Sequence, residues 1–163
     1  MRNTSKESAS TGSLAPQMTS YLSASTVGGP LRERVTAYLK SGGFEGERAE
    51  DFVAAVNEIA VNAVRHGGGT GHLEMTIDTG VVTCRIEDRG GLTSPPRIHL
   101  PEPGIPGGRG LWIASQLADS LRLAADGRGL SVTISSDLGP EPRIDSDDVL
   151  QAADGSAEQR TAR

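Results

Sequence analysis

The apolar positions of this chain change period along its length, and the changes divide it into elements. Leu31, Val35, Tyr38 and Leu39 recur at helical spacing, opened by Gly28-Gly29-Pro30 and stopped by Gly42-Gly43, which predicts a first helix over 31–41. Phe52, Val53, Val56, Ile59, Ala60, Ala63 and Val64 keep that period through a longer helix over 47–66, ended by Gly67-Gly68-Gly69. From there alternation takes over. Leu73, Met75 and Ile77 predict a strand, Thr79-Gly80 a turn, and Val82, Cys84 and Ile86 the antiparallel partner. Residues 89–107 hold Pro95, Pro96, Pro101, Pro103 and Pro106 and read as a long loop, of a length that in a compact domain usually marks a lid or a disordered segment. Gly110 to Ala118 predicts a short helix that Trp112 packs onto the sheet. Leu121, Leu123 and Ala125 then lead through Asp126-Gly127 to Leu130, Val132 and Ile134, a second hairpin. Helices followed by hairpin-linked strands favour an α+β fold with a mostly antiparallel sheet over a parallel, Rossmann-type one.

Composition limits where that fold can lie. Hydrophobic residues are 36% of the 163, below the roughly 45–50% usual for globular chains, and the deficit sits at the two ends. Residues 1–25 are rich in Ser, Thr, Ala and Gly. Residues 138–163 are acidic and polar, with Asp145, Asp147, Asp148, Asp154 and Glu158. Both are expected to be disordered tails that bury too little to repay the entropy of ordering, leaving one domain over 26–137. The net charge of −5 without a basic cluster argues against a nucleic-acid partner held through phosphates. A single cysteine, Cys84, excludes an intrachain disulfide and a cysteine-built zinc site. With no apolar run near the ~20 residues of a membrane span and no signal-peptide core, a soluble cytoplasmic protein without a membrane partner is expected.

Three places carry candidate chemistry. The nearly all-apolar helix over 47–66 also carries Glu58 and Asn62, four residues apart and so on one face, with Arg65 and His66 a turn further on. A helix apolar around most of its circumference is mostly buried, and polar groups on it then need a polar ligand or a metal; the alternative is an ordinary solvent-facing strip. An amide oxygen such as that of Asn62 is a reasonable Mg²⁺ ligand, because that ion takes few protein ligands. Second, period two places Asp88 on the same face as Val82, Cys84 and Ile86, just before Gly90-Gly91, where it either meets a fixed donor such as the amine of adenine or forms a turn. Third, Gly107-Gly108-Arg109-Gly110-Leu111-Trp112 feeds a helix start, where free N–H groups and the helix dipole favour an anion, or else is a flexible hinge. It matches neither the Walker A loop nor the Rossmann fingerprint.

In order, Glu58…Asn62…His66, Asp88-x-Gly90 and Gly108-x-Gly110-Leu111 resemble the conserved boxes of the GHKL superfamily of ATP-binding domains. Within it, Val56 to Gly67 and Gly107 to Ile113 are most similar to the RsbW/SpoIIAB-type anti-sigma factor kinases. The likeness covers about 26–137. It implies a two-layer sandwich of the Bergerat type, with helices covering one face of the sheet, and it implies ATP and Mg²⁺ as cofactors. It gives Asn62 to the metal, Asp88 to the adenine amine, Gly90 to the base, and Gly108, Arg109, Gly110 and Leu111 to the phosphates, with His66 part of the matched helix motif. Glu58 would be the general base of a serine/threonine protein kinase. The partners implied are a STAS-type anti-anti-sigma protein, which is phosphorylated, and a sigma factor, which is sequestered, with the chain a homodimer. Two positions depart from the pattern: Leu92 stands where the superfamily has a further glycine, and Leu130 stands where relatives often have threonine, which removes an expected polar contact to the nucleotide. An ATP-dependent sequestering protein without catalysis is the second reading. A sensor histidine kinase is disfavoured, because none of His66, His72 and His99 lies on the first helix.

Overall fold

The strand that the hydrophobic pattern conceals is the first one. The computed structural model describes residues 17–100 and 109–139. In it Gln17–Leu22 form an edge strand, β1, paired antiparallel along its whole length with Gly71–Asp78, β2. Its inward positions are Met18, Ser20 and Leu22, and the serine in the middle interrupts the apolar alternation. Ser20 is nonetheless only 5% exposed. Its Oγ accepts a bond of 2.6 Å from Arg34 Nη1, while Arg34 Nη2 donates to the Thr19 carbonyl at 3.2 Å, so the buried hydroxyl is satisfied. The expected N-terminal tail is therefore corrected: residues 17–22 belong to the sheet, and Ser23 to Thr26 form a hydrogen-bonded turn. At the other end Leu138 is buried and its N–H bonds the Gly80 carbonyl at 2.9 Å. The remaining tail residues, 1–16 and 140–163, and residues 101–107 of the expected loop lie outside the described residues, as does Gly108.

The other elements are α1 (Gly29–Ser41), α2 (Glu47–His66), β3 (Val81–Asp88), α3 (Arg109–Leu117), β4 (Ser120–Ala125) and β5 (Leu130–Asp137). The sheet runs β1-β2-β3-β5-β4 with every neighbouring pair antiparallel. The β2–β3 hairpin closes on Thr79 and Gly80 at φ 48° and 86°, the left-handed pair that a two-residue type I′ turn demands.

The helices cover one face of this sheet. Its inward row includes Leu73, Met75, Val82, Cys84, Ile86, Val132 and Ile134, all buried, and α2 lies against it through Phe52, Val56, Ile59, Ala60 and Ala63. Each large side chain so buried contributes about 1.5–3 kcal/mol. The opposite face is polar: Thr19, Glu74, Arg85, Thr133 and Arg122 stand side by side across the five strands.

Two tethers fix how α2 sits. Near its N-terminus Arg48 reaches Asp119 Oδ2 at 2.8 Å and the Asp137 carbonyl at 2.7 Å, tying the helix to the approach to β4 and the end of β5. Nine residues on, Asn57 Oδ1 accepts the Gly28 N–H at 3.0 Å and holds the start of α1. With that half anchored, the C-terminal half of α2 is left to face β3, β5 and α3 across a gap.

Candidate functional site

That gap is a cavity of about 220 Å³. Its walls are apolar, formed by Ile59 and Ala63 of α2, Ile86 of β3, Leu111 of α3, and Leu130 and Val132 of β5. Asn62, His66 and Asp88 are the polar side chains that line it, and Leu92 and Pro96, on the segment after β3, form part of its rim. The volume lies below the roughly 300–1,000 Å³ of a pocket for a whole drug-sized ligand, and suits one flat end of a longer molecule.

Asp88 is built into this cavity by close backbone packing. It is the last residue of β3, and its Oδ1 accepts the N–H groups of Gly90 at 2.9 Å and Leu130 at 3.1 Å. Among the described residues no hydrogen bond reaches Oδ2, and the oxygen is not sealed from solvent. A Cβ at Gly129 would lie 2.0 Å from the Asp88 carbonyl oxygen, and one at Gly67 would lie 2.3 Å from the Asp88 Cβ. Neither overlap is tolerable, so glycine at both positions lets the end of α2, the end of β3 and the start of β5 meet around one carboxylate. The β4–β5 loop that delivers Gly129 and Leu130 is itself braced. Asp126 accepts from the Arg128 N–H at 3.0 Å and from its guanidinium at 2.8 and 2.6 Å, which hold the Asp126 carboxyl below its ordinary value. The same loop bonds the segment after β3 through Gly91 N–H to Arg128 O and Gly127 N–H to Leu92 O, both 3.0 Å.

At the other end of the cavity α3 comes down on α2. A Cβ at buried Gly110 would lie 2.4 Å from Asn62 Nδ2, so the first turn of α3 rests directly on the Asn62 amide. The positive dipole end of that turn lies beside the amide. No group of three His, Cys, Asp or Glu side chains is arranged for a metal among the described residues. A cation here would take a single amide oxygen from the protein and fill its shell from phosphate and water, which is the habit of Mg²⁺.

Most of the residues singled out by sequence meet here. Asn62, His66, Asp88 and Leu111 line the cavity, Gly90 holds Asp88, and Gly110 touches Asn62. Glu58 is half-buried one turn before Asn62 on α2, outside the cavity lining and without a hydrogen bond or ion pair to the described residues. Arg109 is exposed at the start of α3, and Gly108 lies outside the described residues. Two contributions are absent from the sequence reading: the Leu130 N–H as a partner of Asp88, and Gly67 as its packing neighbour. The only sequence signal for the first was the departure at Leu130. Cys84 behaves as expected of a small core residue, with burial pushing its thiol well above the ordinary value of 9.0.

Residues 24–136 match the family described as the histidine kinase-like ATPase domain. The chain belongs to that family. The antiparallel sheet covered by helices on one face is the Bergerat-type fold of that family. Among solved structures the chain is similar to the crystal structure of the RsbU and RsbW domains of a Mycobacterium tuberculosis protein. The TM-score is 0.58 and the identity 21%, over 76% of this chain and 32% of that one. It therefore spans about a third of the crystallised relative, and the likeness is one of fold. The histidine kinase domain of a blue-light activated histidine kinase from Erythrobacter litoralis matches at a TM-score of 0.45 and 20% identity, over 66% of this chain and 59% of that one. No curated protein matches. No helix among the described residues is long and apolar enough to cross a membrane.

Proposed function

We propose that this histidine kinase-like ATPase domain binds Mg·ATP in the cavity and is a serine/threonine protein kinase of the anti-sigma factor kind. In this reading it phosphorylates a STAS-type anti-anti-sigma protein, sequesters a sigma factor and acts as a homodimer in the cytoplasm. The observation that carries the nucleotide part is Asp88: a carboxylate with one oxygen used by two backbone N–H groups and the other without a hydrogen bond among the described residues, in a slot whose walls are mostly apolar. A flat heterocycle bearing an exocyclic amine satisfies both features, and the apolar walls hold its faces. The rest of the nucleotide would then extend toward Asn62, Gly110 and Arg109.

Bound Mg²⁺, held on the protein side by Asn62, would supply charge neutralisation for the phosphates. The chain's own residues do the rest. The N–H groups of the first turn of α3 offer fixed donors for phosphate oxygens, which stabilise charge without reorganising. Glu58, one turn from Asn62 and without a hydrogen bond or ion pair among the described residues, is available to accept the proton of the partner's hydroxyl. That hydroxyl forms its bond to the terminal phosphorus as ADP departs. Glu58 lies outside the cavity lining, as suits a base that meets a protein substrate approaching from outside rather than the nucleotide itself. The motif order supports this choice of partner. The apolar side chain of Leu130 within the nucleotide site keeps a second reading alive, a domain that binds nucleotide and sequesters its partner without phosphorylating it.

Incubating the protein with Mg·ATP and a STAS-type partner separates the two. Phosphate transfer to a partner serine or threonine, lost in Glu58→Ala while partner binding persists, is the expected result. Partner binding that depends on ATP without any transfer in the wild type would leave the sequestering reading.

A further inference from the structure

The rim of the cavity is charged in a way its walls are not. Arg65 precedes His66 at the end of α2, Arg89 follows Asp88, Arg97 follows Pro96, and Arg109 stands two positions before Leu111. Four exposed arginines thus stand within two positions of a residue that lines the cavity or its rim. Other basic side chains are tied into the fold: Arg34 to Ser20, Arg48 to Asp119, Arg85 to Glu87 and Arg128 to Asp126. The segment that carries Arg97 also exposes Leu92, Ile98 and Leu100. Arginines around exposed apolar side chains make the composition of a protein-docking surface. This basic rim belongs to a chain whose net charge is −5, so its natural counterpart is acidic and carries apolar residues of its own.

The chain itself holds such a counterpart. Asp147-Asp148-Val149-Leu150-Gln151-Ala152-Ala153-Asp154 has three carboxylates, no base, and a valine and a leucine between them. It follows Gly139, the last described residue before it, at the end of β5 remote from Leu130. The eight residues of β5 span about 27 Å. The eleven residues from 140 to Leu150 reach up to about 36–40 Å when extended, enough to double back along the strand to the rim. Nearer the point of exit, the groove between α1 and α2 has Arg32 and Lys40 but also Glu33 and Glu50, so its charges cancel. A tethered segment meets its own surface at an effective concentration on the order of millimolar, so a contact of only millimolar strength holds it docked about half the time. We propose that residues 147–154 dock across the rim and cover the mouth of the cavity. The aspartates meet Arg65, Arg89 and Arg97, while Val149 and Leu150 rest on Leu92 and Ile98. The docking is independent of what the cavity holds; its competition with Mg·ATP rests on the reading above.

The test attaches a spin label at Ser156→Cys in the full chain. Cys84 is buried and its thiol is held protonated, so the label goes to one site. The amide signals of Gly90, Leu92 and Leu111 should broaden while that of Thr133, on the polar face of the sheet, stays sharp. The broadening should vanish at about 1 M salt, where the Debye length is about 3 Å, and in Asp147→Asn/Asp148→Asn/Asp154→Asn. Arg89→Glu/Arg97→Glu should remove it too. Adding Asp147→Arg/Asp148→Arg to that variant should restore it, which a chain that merely failed to fold would not do. With about half the molecules docked, the triple asparagine variant should bind Mg·ATP about twofold tighter than the wild type. Broadening spread evenly over the surface, or centred on the groove between α1 and α2, overturns the inference. So does broadening that arises only between copies, seen when labelled chains are mixed with unlabelled ones. Unchanged ATP affinity with the broadening intact overturns the covering of the mouth. Failure of ATP to bind removes the proposed function, and the docking is then decided by the broadening alone.

Discussion

Asp88 serves the fold with one oxygen and the proposed ligand with the other, and two substitutions separate these roles. Asp88→Asn retains a carbonyl oxygen that can go on accepting from Gly90 and Leu130, but replaces the open oxygen with an NH₂ group. Two bonds change from charge-assisted to neutral, which roughly halves their strength, so a stability loss of about 1 kcal/mol is expected. Asp88→Ala removes the acceptor altogether. The Gly90 N–H is at an exposed residue and water can replace the lost partner, whereas Leu130 is 9% exposed. An N–H orphaned there costs about 1–3 kcal/mol, and with the smaller loss at Gly90 the total is about 2–4 kcal/mol. Neither variant can accept the amine of the base. At 100 times its dissociation constant a ligand adds about 2.7 kcal/mol, which moves the melting temperature of a small domain by roughly 10 °C.

The assay is urea unfolding followed by Trp112 fluorescence for the first comparison, and thermal unfolding with and without Mg·ATP for the second. The wild type should show the nucleotide shift and both variants should lose it, with the alanine variant clearly the less stable of the two. An asparagine variant that keeps the full shift would refute the assignment of Oδ2 to the ligand. Equal stabilities of the two variants would refute the structural role of Oδ1.

Three further outcomes follow from the packing. Gly110→Ala gains about 0.5–1 kcal/mol in helix propensity but drives its Cβ into the Asn62 amide, the movable end of a side chain; stability should change by less than ~1 kcal/mol while the Mg²⁺ dependence of ATP affinity, measured by calorimetry with and without the ion, collapses. Gly129→Ala meets the Asp88 carbonyl oxygen instead, which is backbone and cannot swing away; a loss of about 3 kcal/mol or more in urea unfolding is expected, and a loss under 1 kcal/mol would contradict the close approach. Cys84 is raised from 9.0 by burial, so the folded state holds its proton above the pH at which the unfolded thiol ionises. The contribution to stability is complete below pH 9.0 and falls as pH rises toward the folded value, by up to ~1.4 kcal/mol per pH unit. Cys84→Ala should flatten that alkaline decline in urea midpoints, and an unchanged slope would count against it.

How much of this was visible in the sequence depends on the range over which each residue acts. The period of α2 and its glycine stop were legible because every residue that defines them lies within the helix, and the observed bounds, Glu47–His66, are those expected. The two hairpins were legible for the same reason. β1 was not, because its middle inward residue is a serine whose burial is made possible by Arg34, fourteen positions away on another element. At the site, Asn62, Asp88 and Gly110 could be picked out by type and spacing, but nothing local says that Gly110 rests on Asn62.

Leu130 shows the limit most sharply. Read along the chain it is a core residue of an alternating strand, or a place where a polar contact is lost. Only the pairing of β5 with β3 reveals that its N–H is a partner of the Asp88 carboxylate. Any residue but proline could supply that N–H, so the contact imposes almost nothing on the side chain at 130. The backbone requirement instead falls on its neighbour: Gly129 must lack a Cβ for β5 to approach the Asp88 carbonyl. Position 129 is thus fixed by the backbone, and position 130 is constrained only through the burial of its side chain. That division explains why a leucine can stand there without disturbing Asp88.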